Sequence, residues 1–127
     1  MSKKSRVRRA NASKTIRLET GTMEARLRYA HLLEGAGLLD DAEQEYKAVS
    51  ELMPESADPY IQYGNLLKRI RRYEDAEKQY CKAIRVNPGN FHAHFSYAVL
   101  LEEQKRFAEA EDEYILAAGA QDSRAST

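Results

Sequence analysis

Apolar residues recur at steps of three and four along most of the chain. In the middle, Tyr63, Leu66, Leu67 and Ile70 keep that spacing, and Ala76, Tyr80, Ala83 and Ile84 resume it after a break at Arg71-Arg72. Such steps place side chains on one face of an α-helix, so this stretch predicts two antiparallel helices joined by a short polar turn. The boundary residues agree. Asp58-Pro59 reads as an N-cap followed by proline in the first turn, and Asn87-Pro88-Gly89-Asn90 ends one helix and starts the next. Met53-Pro54 closes an earlier helix in the same way.

The pattern returns at one fixed interval. Ala42, Ala76 and Ala110 form one evenly spaced column, and Tyr46, Tyr80 and Tyr114 another. Tyr29, Tyr63 and Tyr97 make a third, and Leu33, Leu67 and Leu101 a fourth. Ala30, Gly64 and Ala98 form a column of small residues. Ungapped columns at one period predict a repeat array, with units 23–56, 57–90 and 91–124, a basic segment 1–22 before them and a short tail 125–127 after. The small columns have a packing reason. Helices approach closely only where one side chain is nearly absent, so Gly64 and Ala76 are expected at the crossing, with tyrosine rings on either side.

These columns resemble the tetratricopeptide repeat, whose unit is about 34 residues long, the interval between successive columns. Its pattern is a large residue, leucine-glycine, tyrosine, alanine, an aromatic and a terminal proline. The large position is Tyr60 in the second unit, but Arg26 and His94 in the others. Tyr63-Gly64, Tyr29-Ala30 and Tyr97-Ala98 stand for leucine-glycine, and leucine replaces the family's tyrosine throughout. Pro54 and Pro88 match the proline, where the third unit has Asp122. The resemblance implies an all-α, right-handed α-solenoid of three helix-turn-helix units, six helices in total. It also implies a non-catalytic scaffold that binds protein partners.

In that family the first helix of each unit lines a concave face. The matching rows here are Leu27, Ile61 and Phe95; Arg28, Gln62 and Ser96; and His31, Asn65 and Val99, with Lys68 and Arg69 further along. An apolar stripe flanked by polar groups suits an amphipathic helix or an extended peptide with apolar anchors. The same spacing equally describes residues buried between neighbouring helices. Some family members clamp the terminal carboxylate of chaperone tails with lysine, asparagine and arginine. Leu27, His31, Gln62, His92 and Ser96 occupy those positions here, so the clamp is absent. The asparagine ladder of other members is absent too.

Little else suggests chemistry. His92 and His94, two apart, point to different faces of a helix, and no third ligand supports a metal site. Cys81 lacks a CxxC partner. Glu109, Glu111, Asp112 and Glu113 read as a solvated helix face, and Lys68, Arg69, Arg71 and Arg72 as a solvated turn. No phosphate loop, nucleophile motif or paired-carboxylate signature is present. An enzyme is therefore not expected, nor a cofactor or metal.

Charge is unevenly placed. The chain is neutral overall, with 20 basic and 20 acidic residues. Residues 1–22 nonetheless hold seven basic side chains against Glu19, leaving thirteen basic and nineteen acidic in the rest. The composition of this segment predicts disorder, with a degraded half-repeat around Ile16 and Leu18 as an alternative. Lys3, Lys4, Arg6, Arg8 and Arg9 offer contacts to nucleic acid or a ribosome, but no stacking aromatic lies among them. A single cysteine and no long apolar run point to a cytoplasmic, non-membrane protein. At the other end, Ile115 and Leu116 replace Lys47-Ala48 and Cys81-Lys82, and too few residues follow for a polar capping helix. This end is expected to pack against a second copy, a partner or the N-terminal segment.

Overall fold

A computed structural model describes residues 23–125, with side chains placed through residue 120. The described residues form six helices and no strand: α1 (Met23–Gly35), α2 (Leu39–Leu52), α3 (Ala57–Arg69), α4 (Tyr73–Val86), α5 (Phe91–Glu103) and α6 (Phe107–Ala125). The fold class is all-α, as the spacing predicts. Consecutive pairs make three helical hairpins. The chain divides into two compact units, Met1–Met53 and Pro54–Thr127.

In the first unit, α1 packs on α2. Leu27, Ala30 and Leu33 meet Ala42, Tyr46 and Val49, and all six are buried. In the second unit, α3–α4 and α5–α6 pack into a shared core of Tyr63, Leu66, Leu67, Tyr80, Leu100 and Leu101. The close approach of α3 to α4 depends on Gly64. The Tyr80 ring lies flat over it, where any β-carbon would intrude. The tyrosine ring itself therefore occupies the space the missing side chain leaves.

The three tight turns share one geometry. Gly37, Arg71 and Lys105 hold the same position in successive units, and all have left-handed backbones, with φ of 82°, 66° and 63°. In each, two backbone bonds close the helix end. Leu38 N donates to Leu33 O at 2.9 Å and Gly37 N to Glu34 O at 3.1 Å. Arg72 N to Leu67 O (2.8 Å) and Arg71 N to Lys68 O (3.0 Å) repeat this, as do Arg106 N to Leu101 O and Lys105 N to Glu102 O, both 2.9 Å. This is the Schellman arrangement, in which the left-handed residue satisfies the last carbonyls of the helix.

One boundary expectation needs correcting. Asp58 is not the N-cap of α3. The helix starts at Ala57 with Ser56 as N-cap, and Ser56 makes no side-chain capping bond. Asp58 sits inside the first turn, where its carboxylate accepts from Gln62 Nε2 at 3.2 Å and favourably meets the positive helix end. Asn90 does cap α5, accepting from Ala93 N at 2.9 Å.

Candidate binding surface

The second helix of each hairpin sends a tyrosine to the first. Tyr46 donates its hydroxyl to Glu34 Oε1 at 2.9 Å, and Tyr114 donates to Glu102 Oε1 at 2.7 Å. Glu34 and Glu102 share a repeat position. In the middle hairpin that position is Lys68, which has no lone pair to offer. Tyr80 turns instead to Asn65, one helical turn earlier, and donates to its Oδ1. Lys68 is thereby left to reach Glu103 on α5 at 3.4 Å.

A second set of contacts ties the two hairpins of the second unit together. Tyr97 donates its hydroxyl to Glu77 Oε2. Arg106 grips the same carboxylate with both terminal nitrogens, at 3.1 and 3.2 Å, while also holding Glu109 at 2.8 and 2.9 Å. The guanidinium keeps the Glu77 carboxyl below the usual carboxylate range, and burial pushes the Tyr97 hydroxyl up. Burial likewise raises the Cys81 thiol, which makes it a poor nucleophile at neutral pH.

Two buried polar pairs had no counterpart in the sequence reading. Arg26 Nε donates to Glu45 Oε1 at 2.7 Å. His94 and Glu113 hold the same repeat positions in the third unit as Arg26 and Glu45 in the first. His94 Nδ1 lies 2.7 Å from Glu113 Oε1. The other ring nitrogen of His94 lies 2.6 Å from Pro88 O. His94 is thus a structural link, not a groove residue. The signal was present in the sequence: both departures from the family's large first position coincide with a glutamate at the same distance along the next helix.

The predicted groove residues divide by exposure. Leu27 and Ile61 are only 8% and 6% exposed and belong to the core, whereas Phe95 in the same row is 43% exposed. Gln62, Asn65, Lys68, Ser96 and Val99 are partly exposed, and Arg28, His31 and Arg69 are exposed. Phe95 does not stand alone. Its ring stacks on Phe91 at 5.5 Å and meets Tyr114 edge-on at 5.8 Å. The turn cations make local contacts: Arg72 with Asp75 at 3.0 Å, and Arg71 with the Tyr73 hydroxyl at 3.5 Å.

Ile115 and Leu116 are exposed on α6, as is Phe107. Lys3, Lys4, Arg6, Arg8 and Arg9 lie outside the described residues. Among the described residues no group of three potential ligands is arranged to hold a metal ion, and no helix is long and apolar enough to cross a membrane.

Successive helical hairpins recurring at one fixed sequence interval define a helical-repeat protein. Residues 63–125 match the profile of the tetratricopeptide repeat family, and the chain is a tetratricopeptide repeat protein. Solved structures share the fold. MamA is 20% identical with a TM-score of 0.80, over 94% of this chain and 70% of its own. The type III secretion translocator chaperone SycD of Yersinia enterocolitica is 19% identical with a TM-score of 0.76, over 85% and 81%. A SycD structure in complex with a peptide of the translocator YopD is 20% identical with a TM-score of 0.73, over 81% and 79%. No curated protein matches the chain by sequence.

Proposed function

We propose that the chain is a non-catalytic scaffold that holds a peptide or helix of a partner protein on the first helices of its hairpins. The observation that carries this reading is the exposed aromatic surface of α5. Phe95, stacked on Phe91 and braced by Tyr114, offers a rigid apolar anchor beside the partly exposed Ser96 and Val99. On α3, Gln62, Asn65 and Lys68 form a polar line one turn apart. Asn65 already accepts from Tyr80, so its amide nitrogen remains oriented to donate to a ligand carbonyl. A fixed aromatic anchor flanked by preoriented polar groups is the usual composition of a peptide-binding face. The tetratricopeptide fold supports the reading, and SycD, which shares it, has been solved with a peptide of a partner protein.

Ile61 is buried on α3 and fixes that helix, and Leu27 does the same for α1 within the first unit. Arg69, Ser96 and Val99 are the groups of the second unit that would touch the ligand around Phe95, while Arg28 and His31 are exposed on the first helix of the first unit.

A phage-displayed peptide library panned against the full chain tests the proposal. Enriched peptides should carry apolar or aromatic anchors and bind with weak salt dependence. Phe95→Ser should abolish binding while the circular dichroism melt stays close to wild type. Peptides that bind Phe95→Ser as well as the parent would remove the surface from consideration.

A further inference from the structure

The free side of α6 repeats, residue by residue, a surface that is covered one hairpin earlier. A hollow of about 400 Å³ on α6 is lined by Glu102, Phe107, Glu111, Tyr114 and Ile115 among others. Their counterparts one repeat earlier are Lys68, Tyr73, Glu77, Tyr80 and Cys81. Three of those counterparts are engaged by the next hairpin. Tyr97 places its ring 6.3 Å from that of Tyr80 and its hydroxyl on Glu77. Arg106 closes on Glu77, and Lys68 reaches Glu103. The α6 hollow therefore has the form of a seat for a further helix placed as α5 is placed on α4.

Among the described residues, the other half of such a junction is exposed at the start of the repeat register. Leu32 on α1 is 67% exposed, although Leu66 and Leu100 at the same position are fully buried. Tyr29 holds the register of Tyr97 and Leu38 that of Arg106. The exchanges on the two sides match. At the registers where the internal hairpins have the polar residues Tyr73, Cys81 and Arg106, the two end surfaces carry Phe107, Ile115 and the partly exposed Leu38.

From this register we infer that the chain associates head to tail with a second copy of itself. The α1 face around Leu32 of one copy sits in the α6 hollow around Ile115 of the other, as α5 sits on α4. Burying exposed leucine, isoleucine and phenylalanine drives the contact. Leu38 supplies no cation for Glu111, so this junction lacks the ion pair of the internal one and is reversible. A face-to-face pairing of two α6 helices is disfavoured by charge. Residues 107–120 carry Glu109, Glu111, Asp112 and Glu113 and no basic side chain, so two-fold pairing would oppose like charges. A head-to-tail contact leaves one open face of each kind on every growing assembly.

Sedimentation equilibrium of the full chain and two surface variants tests this. Wild type should gain mass with concentration. Leu32→Lys keeps the hollow and loses the α1 face, whereas Ile115→Lys does the reverse. Each alone should be monomeric, and an equimolar mixture should form a dimer and nothing larger. Circular dichroism establishes that both fold; Leu32→Asn and Ile115→Ser replace either variant that does not. Three results would overturn the inference: a wild type monomeric throughout, a mixture that stays monomeric, or a Leu32 variant that still self-associates. The last would assign the α6 hollow to a different occupant, such as another α6 or the basic N-terminal segment.

Discussion

Gly64 lies directly beneath the Tyr80 ring: a β-carbon on Gly64 would stand 2.8 Å from one ring carbon and 3.0 Å from the next. The ring cannot easily retreat, since Tyr80 is fully buried and its hydroxyl is tied to Asn65. Ala30 and Ala98 occupy the same repeat position in the other hairpins, where a buried β-carbon is accommodated. Gly64→Val is expected to overpack the middle crossing and cost roughly 1–3 kcal/mol. Gly64→Ala should cost less, because the gain in helix propensity of about 1 kcal/mol offsets part of the clash. Chemical denaturation of both variants measures this. A Gly64→Val protein as stable as wild type would show that the ring moves freely.

The three turns offer a test in the opposite direction. Arg71 and Lys105 hold left-handed backbones that cost a residue with a β-carbon about 1–2 kcal/mol, whereas Gly37 holds the same conformation without that penalty. Part of this gain is returned through the greater freedom of glycine in the unfolded chain. Arg71→Gly and Lys105→Gly should each stabilise the protein by about 0.5–1 kcal/mol, and Gly37→Ala should destabilise it by a similar amount. Thermal melts of the three single variants would show whether the signs are opposite.

Much of the fold was legible because it rests on periodic sterics. The evenly spaced columns of alanine, leucine and tyrosine mark where helices must touch, and no long-range information is needed to see them. The left-handed turns were not legible at Arg71 and Lys105, since only Gly37 carries the residue type that advertises the conformation. The apolar row divided for a related reason. Leu27, Ile61 and Phe95 are alike in type and register, and their exposure depends on what packs beside each helix, which spacing alone does not record. Phe95 stays exposed on α5, while Leu27 and Ile61 are core. Arg26 and His94 were legible only as departures from the family pattern. Their glutamate partners on the following helix explain the departures.

Glu77 makes the junction between the second and third hairpins sensitive to acid. Its hydrogen bonds from Arg106 lower its pKa in the folded protein relative to the unfolded chain. A depressed folded-state pKa contributes stability that is complete above the unfolded carboxylate range and is lost as pH falls through the folded value. The stability difference between wild type and Glu77→Gln should therefore be greatest near neutral pH and close as the solution is acidified. Melting temperatures of both proteins across the acidic range provide the test. A gap that stays constant into strong acid would assign the effect of the substitution to packing instead of charge.

The Arg26–Glu45 pair can be exchanged using the protein's own middle hairpin as a guide. Both side chains are nearly fully buried, at 7% and 2% exposure, so removing one breaks a short, desolvated ion pair. Glu45→Ala is expected to cost about 3–5 kcal/mol, the range for breaking a buried pair from one side. The second hairpin fills these two registers with Tyr60 and Gln79, which carry no charge. The double variant Arg26→Tyr with Glu45→Gln should accordingly recover most of the loss caused by Glu45→Gln alone. The recovery appears as a coupling energy between the two positions in a double-mutant cycle followed by urea denaturation. Strictly additive effects would mean that each residue is held by its own surroundings, and that the shared register of Arg26–Glu45 and His94–Glu113 is not an energetic unit.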